Sequence, residues 1–123
     1  MARTPTSVPR VGDIVESGFV FKDKTDTLLT PTACSVEVYD ETGGLAEPAF
    51  TDSDSRVTLG ATLGVDLAAE LDLTAGENTA GVGIIAVEIT PDAAGTWTVY
   101  LKGTATAIGA DSHQYKVYGK TER

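Results

Sequence analysis

Val82-Gly83-Ile84-Ile85-Ala86-Val87-Glu88-Ile89-Thr90-Pro91-Asp92-Ala93-Ala94-Gly95-Thr96-Trp97-Thr98-Val99-Tyr100-Leu101-Lys102-Gly103 carries the clearest pattern in the chain. Ile85, Val87 and Ile89 recur at every second residue, with Ala86 and Glu88 between them. Trp97, Val99 and Leu101 repeat the pattern, with Thr98, Tyr100 and Lys102 in the opposite phase. A period of two gives a strand one buried and one wet face, so the stretch predicts two antiparallel strands joined through Thr90–Gly95 as a hairpin. The chain's only tryptophan opens the second strand, where its large ring has most area to bury.

Working outward, the same period recurs on both sides. Val15, Phe19 and Phe21 share one phase in Ile14–Lys22, and Gly18 marks a candidate bulge. Asp23–Asp26 reads as a turn, and Leu28–Pro31 as a linker or edge segment. Cys34, Val36 and Val38 face inward in a strand over Thr32–Asp40, which Glu41–Gly44 closes with turn chemistry. Residues 45–55 read as a loop. From Val57 to Leu73 every odd position is apolar. That predicts two strands broken near Gly60–Gly64, an added hairpin, with a helix over Val65–Asp72 as the alternative because Leu63, Leu67 and Leu71 also stand four apart. Thr74–Gly81 reads as a loop. Thr104–Ile108 has the pattern of a brief pairing, Gly109–Ser112 reads as a turn, and His113–Tyr118 as the last strand, with Tyr115 and Val117 on one face. Seven to eight short strands and no strong helix predict an all-β antiparallel sandwich.

The chain's 123 residues suit one domain. Its parts are an extended N-terminal arm over 1–11, with two prolines, a β body over 12–118 and a charged tail over 119–123. Neither a signal-like apolar run at the N-terminus nor a membrane-spanning stretch is present in the sequence. Residues 41–101 hold ten carboxylates against one base, Arg56, while acids and bases balance in the rest of a chain of net charge −9. Such a balance disfavours nucleic acid, whose recognition needs clustered Lys and Arg. It suits solubility, or an acidic face meeting a basic neighbour.

Chemistry-bearing constellations are sparse. His113 is the only histidine and Cys34 the only cysteine, and Cys34 shares the inward phase of Val36 and Val38. A nucleophile needs a base beside it, which this pair does not supply. Asp52-Ser53-Asp54 offers two oxygen ligands, but a calcium loop of the EF-hand kind would need Gly at 57 and Glu at 63, where Val57 and Leu63 stand. No cofactor, metal or catalytic set is expected, and the chain reads as a non-enzyme.

Val11-Gly12-Asp13 before the Phe19/Phe21 strand, then Asp23–Asp26 and Thr32-Ala33-Cys34-Ser35-Val36-Glu37-Val38-Tyr39, resembles the opening of small immunoglobulin-like proteins of tailed bacteriophages. Ile89-Thr90-Pro91-Asp92-Ala93-Ala94-Gly95-Thr96-Trp97 is similar to their Thr-Pro-Asp-x-Ala-Gly-Thr-Trp signature, and Gly103 and the Tyr115–Tyr118 strand continue the match. The resemblance implies an immunoglobulin-like fold and a structural place in the virion after synthesis in the host cytoplasm: capsid decoration, head–tail junction or tail surface. Implied partners are the major capsid protein or other virion proteins and further copies of the chain in an oligomer or symmetric array, with no nucleic acid and no membrane. The 57–73 segment departs from the family pattern. Candidate interaction residues are therefore Arg3 and Arg10 on the arm, Asp52 and Asp54 in the acidic loop, and Leu63, Val65 and Leu67 on the added hairpin. Outward-phase Tyr39, Tyr100 and Tyr118 are candidates for recognising a host-surface glycan or receptor.

Overall fold

A computed structural model describes residues 9–103 and 109–118, with side chains from residue 114 onward in the second stretch. Arg3, the rest of the arm before Pro9, the Thr104–Ile108 pairing and the 119–123 tail lie outside the described residues. The fold is mostly β and antiparallel. Strands β1 (Val15–Val20), β5 (Ile84–Ile89) and β4 (Val57–Leu59) form one sheet in the order β1-β5-β4. The other sheet, in the order β3-β2-β6-β7, contains β3 (Phe50–Thr51), β2 (Cys34–Tyr39), β6 (Gly95–Gly103) and β7 (Gly109–Val117).

The two sheets share one core. Phe19, Phe21, Val36, Val38, Ile85, Val87, Ile89, Trp97, Val99, Leu101, Tyr115 and Val117 are buried in it with Val15, Cys34 and Val57. Each large apolar side chain so buried contributes about 1.5–3 kcal/mol.

Val82–Gly103 holds two strands, but they do not form a hairpin. β5 pairs with β1 and β4, whereas β6 pairs with β2 and β7. Their connection passes from one sheet to the other, and its Pro91 is fully buried. Pro91 lacks the N–H a tight two-strand ladder would use, and its carbonyl accepts from the N–H of Gly12 at 3.0 Å. Period two says which side of a strand is buried, not which strand lies beside it.

β5 also has no wet face over most of its length. Ile84 and Ala86 are buried in the opposite direction from Ile85 and Val87, in a second cluster with Ala61, Leu63, Leu67 and Ala68. This overturns the added hairpin over 57–73. Only β4 is a strand there. The chain turns at Gly60 and enters helix α1 (Val65–Glu70), and a second helix, α2 (Ala75–Ala80), occupies what reads as a loop. Leu67 and Ala68, adjacent in sequence, are both buried, while Val65 is 83% exposed. An alternating strand allows neither, and the helical period, which sets Leu67 and Ala68 on neighbouring positions and Val65 on the other side, accounts for both.

The helices are held by local chemistry. Thr74 caps α2 through a hydroxyl that accepts from the N–H of Glu77, while the Glu77 carboxylate accepts from the N–H of Thr74. Gly81 closes α2 in the left-handed conformation, φ 74°. Gly18 is not at a bulge: β1 pairs residue for residue with β5. A Cβ there would lie 2.7 Å from Leu63 Cδ1 and 3.1 Å from Leu67 Cδ2, so the missing side chain lets the helical segment pack onto the sheet.

At the far end of the chain, Gly109–Ser112 belongs to β7 and is not a turn. Pairing with β6 runs from Gly103↔Gly109 to Gly95↔Val117. The arm's last residues are tied to this strand. Tyr118 N–H donates to the Pro9 carbonyl and Val11 N–H to the Tyr118 carbonyl, each at 2.9 Å, forming a parallel bridge between Arg10 and Tyr118.

Candidate interaction surface

The helical segment covers the outer side of the three-stranded sheet. Among the described residues, no helix covers the outer side of the four-stranded one. Its outward positions are Ser35, Glu37 and Tyr39 from β2, Thr96, Thr98, Tyr100 and Lys102 from β6, and Gln114 and Lys116 from β7. The register sets Glu37 opposite Tyr100, Tyr39 opposite Thr98, Thr98 opposite Gln114 and Thr96 opposite Lys116. Strand alternation therefore brings Tyr39 and Tyr100 to adjacent strands of one face, and Tyr118 follows Lys116 at its margin.

These groups are partly ordered by one another. Tyr39 Oη donates to Glu37 Oε1 at 2.9 Å, and that bond to a carboxylate, with some desolvation, holds the phenol above its ordinary pKa. Lys116 Nζ stands 5.0 Å from the centre of the Tyr118 ring. Tyr100 is 36% exposed. The face offers aromatic edges, hydroxyls, an amide and charges of both signs, which suits recognition by contact and hydrogen bonding.

The acidic loop serves the fold. Asp52 Oδ1 accepts from Cys34 N–H at 3.0 Å and Asp52 N–H donates to the Cys34 carbonyl at 3.2 Å, which continues the β2–β3 pairing by one residue. Asp54 accepts from the backbone N–H and the guanidinium of Arg56, which holds its carboxyl below the usual carboxylate range. Arg56 also reaches Glu47 Oε1 at 2.7 Å and lies 4.0 Å over the Phe50 ring. Asp52 and Asp54 are thus committed to internal partners. Leu63 and Leu67, each 4% exposed, are core and are withdrawn as contact residues, and of that set only Val65 is exposed. Arg10 sits at the bridge to Tyr118, its N–H donating to Asp13 Oδ2 at 3.0 Å.

Burial, with Asp52 nearby, pushes the Cys34 thiol up to about 11, which keeps it protonated at neutral pH. His113 lies opposite Val99 in β7, and its side chain is outside the described set. Among the described residues, no group of three or more His, Cys, Asp or Glu is placed to hold a metal ion, and no helix is long and apolar enough to cross a membrane.

Comparisons with protein-family models, with curated proteins and with solved structures find no match.

Two features escape the sequence reading. α2 had a legible signal, the Thr74-x-x-Glu77 capping box with Gly81 after it. Asn78 had none, because its partner, Leu63, lies fifteen residues upstream.

Proposed function

We propose that this chain is a non-enzymatic structural protein of a bacteriophage virion, an immunoglobulin-like sandwich that decorates the capsid and stabilises it by bridging neighbouring subunits. The observation that carries this reading is the corner at 90–97. Trp97, near the start of β6, donates its indole N–H to the Ala93 carbonyl at 2.9 Å, inside the Thr-Pro-Asp-Ala-Ala-Gly-Thr-Trp signature. Immunoglobulin-like domains close the same corner between sheets with an aromatic side chain bonded to backbone a few residues upstream. The strand orders β1-β5-β4 and β3-β2-β6-β7 support the same fold, matching B-E-D against C′-C-F-G.

In a capsid-bound state the helical segment is not a free hairpin that reaches a neighbour, since Leu63, Leu67 and Ala68 pack it on its own sheet. Contact falls instead to the open face around Tyr39 and Tyr100 and to the arm. Repetition over a symmetric shell would turn modest single contacts into strong retention. The partners in this reading are the major capsid protein or other virion proteins and further copies of the chain. Head–tail junction or tail surface is the alternative location. The test is co-sedimentation of the purified protein with capsids lacking it, with copy number read by quantitative gel. Hundreds of copies per particle support decoration; no binding to capsids together with localisation at the tail rejects it.

The grouping of Tyr39, Tyr100 and Tyr118 at one face favours a second reading, recognition of a host-surface glycan or receptor. Glycan arrays and whole-cell binding decide it, and no signal in either removes it.

A further inference from the structure

The geometry points to β7 as the edge through which two copies of this chain join, antiparallel, into one continuous sheet. Backbone directions establish which groups are offered. Tyr118 turns its N–H and C=O toward Pro9 and Val11, away from β6. In a regular strand the same side then receives the backbone groups of Lys116, Gln114, Ser112 and Ala110, while Val117, Tyr115 and His113 bond to β6. The neighbouring pairs agree: even residues of β2 turn toward β3, as the Cys34–Asp52 and Val38–Ala46 bonds record, so its odd residues serve β6.

β7 is a nine-residue edge, against two residues for β3, three for β4 and six for β1. Among the described residues only its Tyr118 end is paired on the outer side. A long edge with no further partner among the described residues is a template for another strand.

The chain's own arm fits this edge poorly. Extending the Arg10–Tyr118 register would bring Pro9 and then Pro5 to positions that owe an N–H to β7, and neither has one. A second β7 meets no such obstacle. The two-fold register that uses all four edge residues sets Ala110 opposite Lys116 and Ser112 opposite Gln114, so no like charges oppose at neutral pH, and the strongly acidic span 41–101 supplies none of these residues. This pairing does not rest on a virion role, and the two are tested separately.

The experiment is sedimentation equilibrium on the full chain, with oxidative cross-linking. The wild type is expected to self-associate reversibly to a dimer. Gln114→Pro, which deletes an N–H on the partner side only, removes one ladder hydrogen bond per copy and so two per dimer, and should weaken the dimer by at least about tenfold. Far-UV circular dichroism and the Trp97 fluorescence check that this variant folds. Independently of it, an equimolar mixture of Ser112→Cys and Gln114→Cys chains should cross-link more than either alone. Deleting residues 1–8 should leave the dimer intact. A monomer at all concentrations, cross-linking no greater in the mixture, or loss of the dimer on deletion of the arm would overturn β7 pairing.

Discussion

The Asn78 side chain holds the backbone of Leu63 from both sides, its Oδ1 accepting from Leu63 N–H at 2.8 Å and its Nδ2 donating to the Leu63 carbonyl at 2.9 Å. An amide here does what a neighbouring strand would do, and it fixes α2 to the segment that enters α1. Asn78→Ala should leave both partly buried backbone groups without their partner and cost about 1–3 kcal/mol. Urea denaturation followed by circular dichroism measures it. A change within error would mean that water replaces the amide.

Burial within α1 makes a sharper contrast. Leu67→Ala should cost about 2–5 kcal/mol, and Val65→Ser, three-dimensionally on the other side of the same turn, less than about 0.5 kcal/mol. Paired denaturation curves test this. Equal losses at the two sites would contradict a helix over Val65–Glu70.

Gly18 is the floor on which that helical segment rests. Gly18→Val should destabilise by about 1–3 kcal/mol, since its side chain enters space held by the Leu63 and Leu67 methyls. Hydrogen exchange should show the loss of protection concentrated in α1. Uniform loss would place the strain in the β1–β5 ladder instead.

Trp97→Phe keeps an aromatic ring in the core but removes the donor to Ala93. The expected cost is about 1–2 kcal/mol, because the released carbonyl lies at an exposed residue and can turn to water. Thermal denaturation of the variant reads it, with far-UV circular dichroism as the probe.

Acid should loosen the loops held by Asp54 and Asp23. The Asp54 carboxylate is favoured in the folded state by Arg56, and that of Asp23 by the Thr25 hydroxyl and then the Thr27 and Thr25 N–H groups, so both folded pKa values lie below the ordinary 3.8. A depressed folded pKa contributes stability in full above the unfolded value, and that contribution is lost as pH falls through the folded one. Urea midpoints should therefore drop below about pH 4, and Asp54→Asn should show a smaller drop than the wild type. An unchanged slope in Asp54→Asn would remove Asp54 from the acid response.

Much of the β framework is legible in the residues, because alternation is a local property of a strand. The inward phases of β1, β2, β5, β6 and β7 could all be read from apolar side chains two apart. The interaction surface is less legible. Asp52, Asp54, Leu63 and Leu67 advertise charge or apolarity, and only folding shows that each is used within the chain. Tyr39 and Tyr100 could be assigned outward, yet their adjacency depends on the β2–β6 register.

By itself, then, the sequence determined an antiparallel, mostly β chain, the buried phase of its strands and the acidic balance of its middle. Tertiary structure alone decided that β5 and β6 belong to different sheets, since periodicity carries no information about partners. It also decided between strand and helix over 57–73, where a spacing of two and a spacing of four coincide. The choice went to the helix: β5 presents Ile84 and Ala86 on its outer side, and the adjacent Leu67 and Ala68 of α1 are buried against them together with Leu63 from the segment that enters the helix.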